Sequence, residues 1–303
     1  MEQLVEPLVV VFHGAGGFQR KLLGRLNASY DDMRHRFVTE ILPATSSPEP
    51  LRHNGIMISC RSLTRRFGDF TAVDRLDLTV DAGAICAFLG PNGAGKSTTV
   101  KMLTGLLPPT SGEVRVCGLD PAVSSLELKR LIGVLPEDLG LFDDLTVEEH
   151  LLLTGSVYGL DRRQTRERVA QLLHALSLEH GRHTFASACS HGMRKKTSFA
   201  MALLPNPRIL FLDEPFEAID PVTSRIMRDL LQSAARRGIT VFLTSHILSV
   251  AEEIATQFVM IRKGKLVWNS PAGELPQSLE RHYFDLVESP VTEELTWLGS
   301  PRS

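Results

Sequence analysis

The fold of this chain is decided by the stretch Leu89-Gly90-Pro91-Asn92-Gly93-Ala94-Gly95-Lys96-Ser97-Thr98. It matches the pattern G-x-x-x-x-G-K-[ST] of phosphate-binding loops at every fixed position. The apolar run 84–89 in front of it predicts a buried parallel strand, and residues 97–107 behind it predict a helix. A glycine-rich turn between a strand and a helix N-terminus points backbone N–H groups and the helix dipole at one anion. The sequence therefore predicts a nucleoside triphosphate site.

The parts of this loop have distinct predicted tasks. Its glycines let the backbone approach phosphate oxygens closely, because a Cβ would block the approach or the torsion. Lys96 is expected to place its ammonium on the β- and γ-phosphates, and the Ser97 hydroxyl is expected to complete a Mg²⁺ shell. The predicted nucleotide-binding residues of the loop are Gly90, Pro91, Asn92, Gly93, Ala94, Gly95, Lys96, Ser97 and Thr98.

Composition limits the remaining classes of function. Of the 303 residues, 43% are hydrophobic and 22% charged, and the net charge is −2. These values are typical of a soluble globular protein and exclude a global basic field that would attract nucleic acid. The four cysteines are scattered without a C-x-x-C pair, which favours reduced thiols. No apolar run approaches the roughly 20 residues of a membrane helix, and no signal peptide is evident. We therefore expect a cytoplasmic protein that reaches a membrane only through a partner.

Two further strands are predicted to deliver polar side chains to the same sheet edge. The apolar run 209–212 ends in Asp213 and Glu214, and the run 240–244 is followed by His246. Parallel α/β sheets bind ligands at the carboxyl ends of their strands. Asp213 suits a Mg²⁺ contact through water, and Glu214 suits polarising an attacking water. These residues are therefore predicted to assemble with the phosphate loop.

The other periodic segments predict an antiparallel β-subdomain and an inserted helical subdomain. Residues 56–60 and 76–80 alternate like half-buried strands. Phe67 lies between them, and the pattern alone leaves it as either a core residue or a stacking platform for a base. Helical spacing and a predicted capping box at Thr146 place helices within about 138–204. Further predictions are a strand at 113–117, a second apolar strand at 132–135, helices at 124–131, 146–158, 162–176, 221–238 and 278–287, and a hairpin at 257–268.

The two ends of the chain have different patterns. Residues 1–54 contain one predicted strand, Leu8–Phe12, and a Ser/Pro linker at 45–50. The cluster His13–Gly17 is similar to the oxyanion loop of esterases, but the chain lacks the G-x-S-x-G elbow that such enzymes need. We expect 1–54 to be a loosely ordered extension that the fold does not require, the alternative being that Leu8–Phe12 adds an edge strand. Residues 288–303 are predicted to be a tail.

The order of these pieces across about residues 56–287 resembles the ATP-binding subunit of ABC transporters. The resemblance implies that Phe67 stacks on adenine, that Asp213 is the Walker B acid and that Glu214 is the catalytic base. It also implies that His246 contacts the γ-phosphate and that 217–220 form the D-loop. The implied fold is a P-loop NTPase with a mixed parallel core sheet, an N-terminal antiparallel β-subdomain and an inserted helical subdomain.

Two positions depart from the family pattern. The loop glutamine that senses Mg²⁺ and the membrane partner is Glu137 here, and the L-S-G-G-Q signature is Cys189-Ser190-His191-Gly192-Met193. Glu137 can still accept from a metal-bound water. Ser190 and Gly192 can still bind a γ-phosphate through a hydroxyl and an N–H at a helix start. Residues 193–196 resemble the variant of drug and polysaccharide exporter subunits.

The resemblance implies ATP and Mg²⁺ as ligands and a head-to-tail dimer that holds two ATP molecules between its subunits. It further implies a separate membrane-spanning permease, docked near Glu137 and residues 138–160, which keeps the subunit at the inner face of the membrane. Export is the favoured direction. Two alternatives remain open: a soluble ATPase of this family that acts on ribosomes or DNA, and an ATP-gated module with little turnover.

Overall fold

The computed structural model describes residues 55–275 and 278–286. The predictions made for 1–54, among them the strand Leu8–Phe12 and the 45–50 linker, and for the 288–303 tail lie outside these residues. The described strands are β1 (Ile56–Phe67), β2 (Phe70–Asp81), β3 (Ile85–Leu89), β4 (Ser111–Val116), β5 (Ile132–Leu135), β6 (Ile209–Leu212), β7 (Thr240–Ser245), β8 (Gln257–Arg262) and β9 (Lys265–Pro271). The α-helices are α1 (Lys96–Leu103), α2 (Ser125–Leu131), α3 (Val147–Val157), α4 (Arg162–Ala175), α5 (His191–Leu203), α6 (Pro221–Arg236), α7 (Leu248–Ile254) and α8 (Leu279–Leu286).

A three-stranded antiparallel sheet in the order β2-β1-β4 forms one layer. The predicted end of the first strand is wrong. Strand β1 does not stop at Cys60 but continues to Phe67, which pairs with Phe70 across the turn. Register shifts between Cys60 and Leu63 and again near Arg65 interrupt the two-residue alternation. A search for strict alternation therefore finds only the regular ends of the two strands.

The second sheet has six strands in the order β5-β6-β7-β3-β8-β9. Its first five strands are parallel and β9 pairs antiparallel with β8. The central strand β3 is buried along its whole length, since Cys86 and Phe88 pack toward the antiparallel sheet while Ile85, Ala87 and Leu89 pack toward the helices. A continuous apolar run is the signature of a strand covered on both faces. The predicted fold class, a mixed sheet with a parallel core, is confirmed.

The six helices whose bounds were predicted begin within one residue of their predicted starts, whereas α7 was not predicted from the sequence and α1 ends early. The capping box at Thr146 is present, since Glu149 N–H donates to Thr146 Oγ1 at 3.2 Å and the Glu149 carboxylate accepts from Thr146 N–H. Helix α1 ends at Leu103, not at Leu107 as predicted. The reason is Gly105, whose φ of +75° ends the helical geometry.

A buried histidine fixes the loop between β5 and α3. His150 is 1% exposed, and its Nε2 accepts from Phe142 N–H at 2.9 Å while Nδ1 lies 2.7 Å from Thr146 O. These contacts require the neutral tautomer with the proton on Nδ1. In an imidazolium Nε2 would also carry a proton, and this N–H would face the Phe142 N–H with no acceptor between them. Burial lowers the pKa of His150 to about 4.

This pKa predicts an acid sensitivity that H150Q should reduce. Below the unfolded pKa of about 6.5, His150 binds a proton in the unfolded chain but stays neutral in the folded chain. The free energy of unfolding therefore falls as the pH drops. From pH 7 to pH 5 the His150 contribution to the free energy of unfolding should fall by about 2 kcal/mol. Urea unfolding at both pH values measures it. H150Q can accept and donate without titrating, so equal pH slopes for the two proteins would contradict the prediction.

Candidate functional site

The carboxyl ends of β5, β6, β7 and β3 meet at one sheet edge, where they border a cleft of about 380 Å³. Adjacent parallel strands place the segments that follow them side by side, so residues far apart in sequence become neighbours. The cleft is lined by Phe70, Ala72, Pro91, Asn92, Gly93, Gly95, Lys96, Ser97, Thr98, Glu137, Glu214, Glu217 and His246. Most of the predicted site residues are therefore brought together.

Two glycines of the phosphate loop are required by close packing behind the loop. A Cβ at Gly90 would lie 2.5 Å from Ile261 O, and one at Gly95 would lie 2.4 Å from Ala72 O. Gly95 also has a φ of +106°, which only glycine adopts readily. Two predicted contact residues differ from expectation, since neither Gly90 nor Ala94 lines the cleft. Ala94 is 2% exposed and its methyl group belongs to the apolar core.

Lys96 is a buried cation at the floor of the cleft. Its side chain is 7% exposed, and Nζ donates to Gly90 O at 2.8 Å and lies 3.3 Å from Glu214 Oε1. A buried ammonium is stable only when carbonyls and anions surround it. Nζ also lies 3.5 Å from Pro91 O, so each of its three N–H groups faces a partner, and a phosphate oxygen in the cleft would have to replace one of them.

Glu214 is held by the segment that follows β7. His246 Nδ1 lies 2.9 Å from Glu214 Oε2, and His246 N–H donates to the same oxygen at 3.2 Å. Within the described part of the chain, the other oxygen, Oε1, accepts no hydrogen bond and has only the Lys96 ion pair. The backbone of Glu214 has a φ of +47°, a strained conformation for a residue with a side chain. One carboxylate oxygen is thus fixed by His246, and the other is buried against Lys96 without a hydrogen bond from any described residue.

Asp213 lies behind the cleft and, unlike Glu214, does not line it. It is 5% exposed, and the Thr244 hydroxyl donates to Asp213 Oδ1 at 2.6 Å while accepting from Glu214 N–H at 2.9 Å. Thr244 therefore orients both acids at once. This role of Thr244 was not predicted, although a threonine at the end of an apolar strand, two residues before His246, could have indicated it.

The predicted metal ligands fit a Mg²⁺ ion that is bound mainly by phosphate and water. Ser97 and Glu137 line the cleft, and Asp213 lies behind it. No group of three or more His, Cys, Asp or Glu side chains within residues 55–275 and 278–286 could hold a metal by itself. Mg²⁺ commonly takes one or two protein oxygens and completes its octahedron with phosphates and waters. Ser97 and Asp213 can supply that share.

The two aromatic residues at the β1–β2 turn differ in their position. Phe67 is 47% exposed and does not line the cleft, and the Arg65 guanidinium covers one face of its ring at 4.6 Å. Phe70 is 64% exposed and lines the cleft directly. The adenine-stacking role of Phe67 stays a prediction, and Phe70 is a second candidate that the sequence analysis missed.

Ser190 and Gly192 are not part of this chain's own cleft lining. Ser190 is the exposed N-cap of α5 and its Oγ accepts from Met193 N–H at 3.2 Å. Gly192 lies beside the segment 217–220, since a Cβ there would be 3.9 Å from Asp220 Oδ2. The signature segment therefore presents a hydroxyl and a helix N-terminus to the exterior of the molecule.

Comparisons with known proteins agree with this architecture. Residues 73–217 match the family described as "ABC transporter". The chain is 36% identical over 220 residues to the "Bacitracin transport ATP-binding protein BcrA" of Bacillus licheniformis, covering 72% of this chain and 71% of that protein. It is 36% identical over 219 residues to the "Probable multidrug ABC transporter ATP-binding protein YbhF" of Escherichia coli (strain K12), covering 72% of this chain but 38% of that protein.

A solved structure has the same fold. "Dimeric Structure of MJ0796, a Bacterial ABC Transporter Cassette" superimposes with a TM-score of 0.66 at 25% identity, over 71% of this chain and 99% of that one.

No helix within residues 55–275 and 278–286 is long and apolar enough to cross a membrane.

Proposed function

The chain belongs to the family of ABC transporter ATP-binding proteins, which are ATPases, and we propose that it drives an exporter by binding and hydrolysing ATP at the interface of a dimer. The observation that carries this proposal is the geometry of Lys96, Glu214 and His246 around one cleft beneath a complete phosphate loop. The observation that favours a shared site is the outward position of Ser190.

Hydrolysis requires a water held in line with the γ-phosphorus. The ATP phosphates would replace Glu214 as the main partner of Lys96, because their negative charge is larger. Glu214 Oε1 would then be free to accept a proton from the attacking water, while His246 keeps the carboxylate in place through Oε2. The water oxygen would form a bond to the γ-phosphorus. The bond between that phosphorus and the oxygen that bridges it to the β-phosphorus would break, and ADP and phosphate would leave. Mg²⁺, held by Ser97 and Asp213, would neutralise charge on the phosphates.

The dimer proposal follows from what the single chain leaves incomplete. The cleft has donors for the phosphates from its own loop, whereas the donors at Ser190 and Gly192 do not line it. In a two-fold assembly each chain can supply both halves of a composite site. The dimeric arrangement of the similar MJ0796 cassette supports this pairing. ATP would then close the dimer and hydrolysis would reopen it.

The transport proposal rests on the relatives. One is named for bacitracin transport and another as a probable multidrug transporter. We infer that a permease subunit docks near Glu137 and α3, anchors this chain at the cytoplasmic face of the membrane and converts dimer closure into export. Purifying the full chain with its permease from detergent extract and measuring ATP-dependent cargo movement in vesicles tests this step.

The composite site can be tested by mixing two inactive variants. S190R should abolish hydrolysis without weakening ATP binding to the monomer, because Ser190 would act on the opposite subunit's nucleotide. K96A should fail to bind ATP at its own phosphate loop. In an S190R/K96A heterodimer, one site pairs an intact loop with an intact signature, so mixing should restore up to about half of the activity per dimer, by the same two-fold logic.

Equal activity of the mixture and of the separate variants would contradict the shared site, provided that cross-linking shows heterodimers. S187R, three residues earlier at another exposed serine, is the matched control and should keep wild-type activity.

The adenine platform can be assigned by comparing F67A with F70A. Loss of a base–aromatic stack costs about 1–3 kcal/mol, which corresponds to roughly 5- to 150-fold in affinity. We expect F67A to weaken ATP binding by such a factor and to leave the affinity for inorganic triphosphate unchanged, because only the base is lost. Calorimetry with both ligands measures it. If F70A alone has this effect, the platform is Phe70.

A further inference from the structure

A buried lysine outside the phosphate loop contacts the turn that carries the catalytic glutamate. Lys195 lies on α5 and is 4% exposed. Its Nζ donates to Glu214 O at 2.7 Å and to Glu217 O at 3.2 Å. The two carbonyls belong to the ends of one short turn, so a single ammonium bridges it. Burying an ammonium is unfavourable unless its partners are well placed, which indicates a specific task.

The turn that Lys195 bridges has a left-handed backbone conformation at its first residue and another directly after its last residue. Glu214 has a φ of +47° and Ala218 a φ of +54°, and neither residue is a glycine. Such conformations persist only where the surroundings enforce them. Within the turn, Glu217 N–H donates to Glu214 O at 3.3 Å, so this carbonyl receives donors from two directions. The backbone of Glu214, and with it the direction of the side chain, is fixed by these contacts.

The charges around Lys195 agree with this position. Burial lowers the pKa of Lys195, and the acids Glu217, Glu214, Asp213 and Glu137 oppose that effect. Glu217, Glu214 and Glu137 line the cleft, and Asp213 lies behind it. A cation in this place stabilises a set of carboxylates that would otherwise repel one another.

We propose that Lys195 is a positioning residue for ATP hydrolysis, which clamps the Glu214–Glu217 turn from α5 and so fixes the Glu214 carboxylate beside the γ-phosphate. The proposal rests on the proposed ATPase function. It also assigns a connection between subdomains, since Ser190 caps the same helix and would bind the opposite nucleotide. A shift of α5 on dimer closure would thereby act on Glu214 of the same chain.

The test is a double-mutant cycle in the full 303-residue chain. K195M keeps the length and apolar stem of the side chain and removes the ammonium. We expect kcat to fall tenfold or more, with KM for ATP within about twofold of wild type. On an E214Q background, K195M should change the residual single-turnover rate less than twofold, because the group it positions is already absent. A merely structural lysine would lower both rates alike.

K196M is the matched control, since it makes the same change at the next residue of the same helix and is expected to keep wild-type kcat. A folded K195M with wild-type kcat overturns the proposal, and so does an equal loss on both backgrounds. If K195M does not fold, K195Q decides by the same comparisons, because its shorter amide still donates but cannot bridge both carbonyls equally. A wild-type chain without any turnover overturns the ATPase function and this inference together, whereas an active wild type with an equally active K195M or K195Q overturns this inference alone.

Discussion

E214Q is expected to lower the rate of ATP hydrolysis by about 10²- to 10⁴-fold, the usual effect of losing a general base. The amide cannot accept the proton of the attacking water, whereas its shape still fits between Lys96 and His246. Since we propose that Lys96 and the loop amides, and not Glu214, hold the phosphates, ATP should bind as tightly as in the wild type or more tightly. The variant should therefore accumulate as an ATP-bound closed dimer. Steady-state phosphate release and size-exclusion chromatography with ATP measure the two effects.

E217Q is the matched control for E214Q. Glu217 lines the same cleft and carries the same charge, but it lies at the far end of the turn. We expect E217Q to change the rate by only a few-fold. If E214Q hydrolysed ATP within a few-fold of wild type, Glu214 would not be the base.

K96A is expected to act on binding in the first place. The ammonium of Lys96 is 7% exposed, so in its absence both the ATP phosphates and Glu214 would lack a buried counter-charge. A lost charge-assisted hydrogen bond costs about 1.5–3 kcal/mol, which predicts a loss of ATP affinity of roughly 10- to 150-fold. Isothermal titration calorimetry with ATP measures this effect in the absence of turnover.

K101A separates this effect from a general change of helix α1. Lys101 lies on the exposed face of the same helix and outside the cleft, so its loss should leave ATP affinity unchanged. Equal ATP affinities of K96A and wild type would show that Lys96 does not hold the phosphates. Because K96A also leaves Glu214 without its buried cation, its melting temperature should fall relative to that of K101A.

Much of the site could be predicted from local sequence because its parts are consecutive residues with a fixed local geometry. The phosphate loop specifies its own turn through its glycines, and a buried strand that ends in Asp213 and Glu214 can only deliver them to one sheet edge. The capping box at Thr146 likewise needs nothing beyond four residues. Such features depend on backbone torsions and short-range hydrogen bonds, and both are encoded within one segment.

The structure alone decided which distant residues support these segments. Thr244 orients Asp213 and Glu214 only because β7 is the neighbour of β6, and Lys195 reaches the turn after β6 only because α5 packs beside it. The register shifts in β1 hid its length, and the position of Phe70 rather than Phe67 at the cleft depends on the hairpin turn. The sequence by itself determined the phosphate loop, the two acids that follow β6 and the fold class. Tertiary structure decided how the acids are held, because hydrogen bonds between elements depend on the sheet order and the helix packing, which no single segment contains.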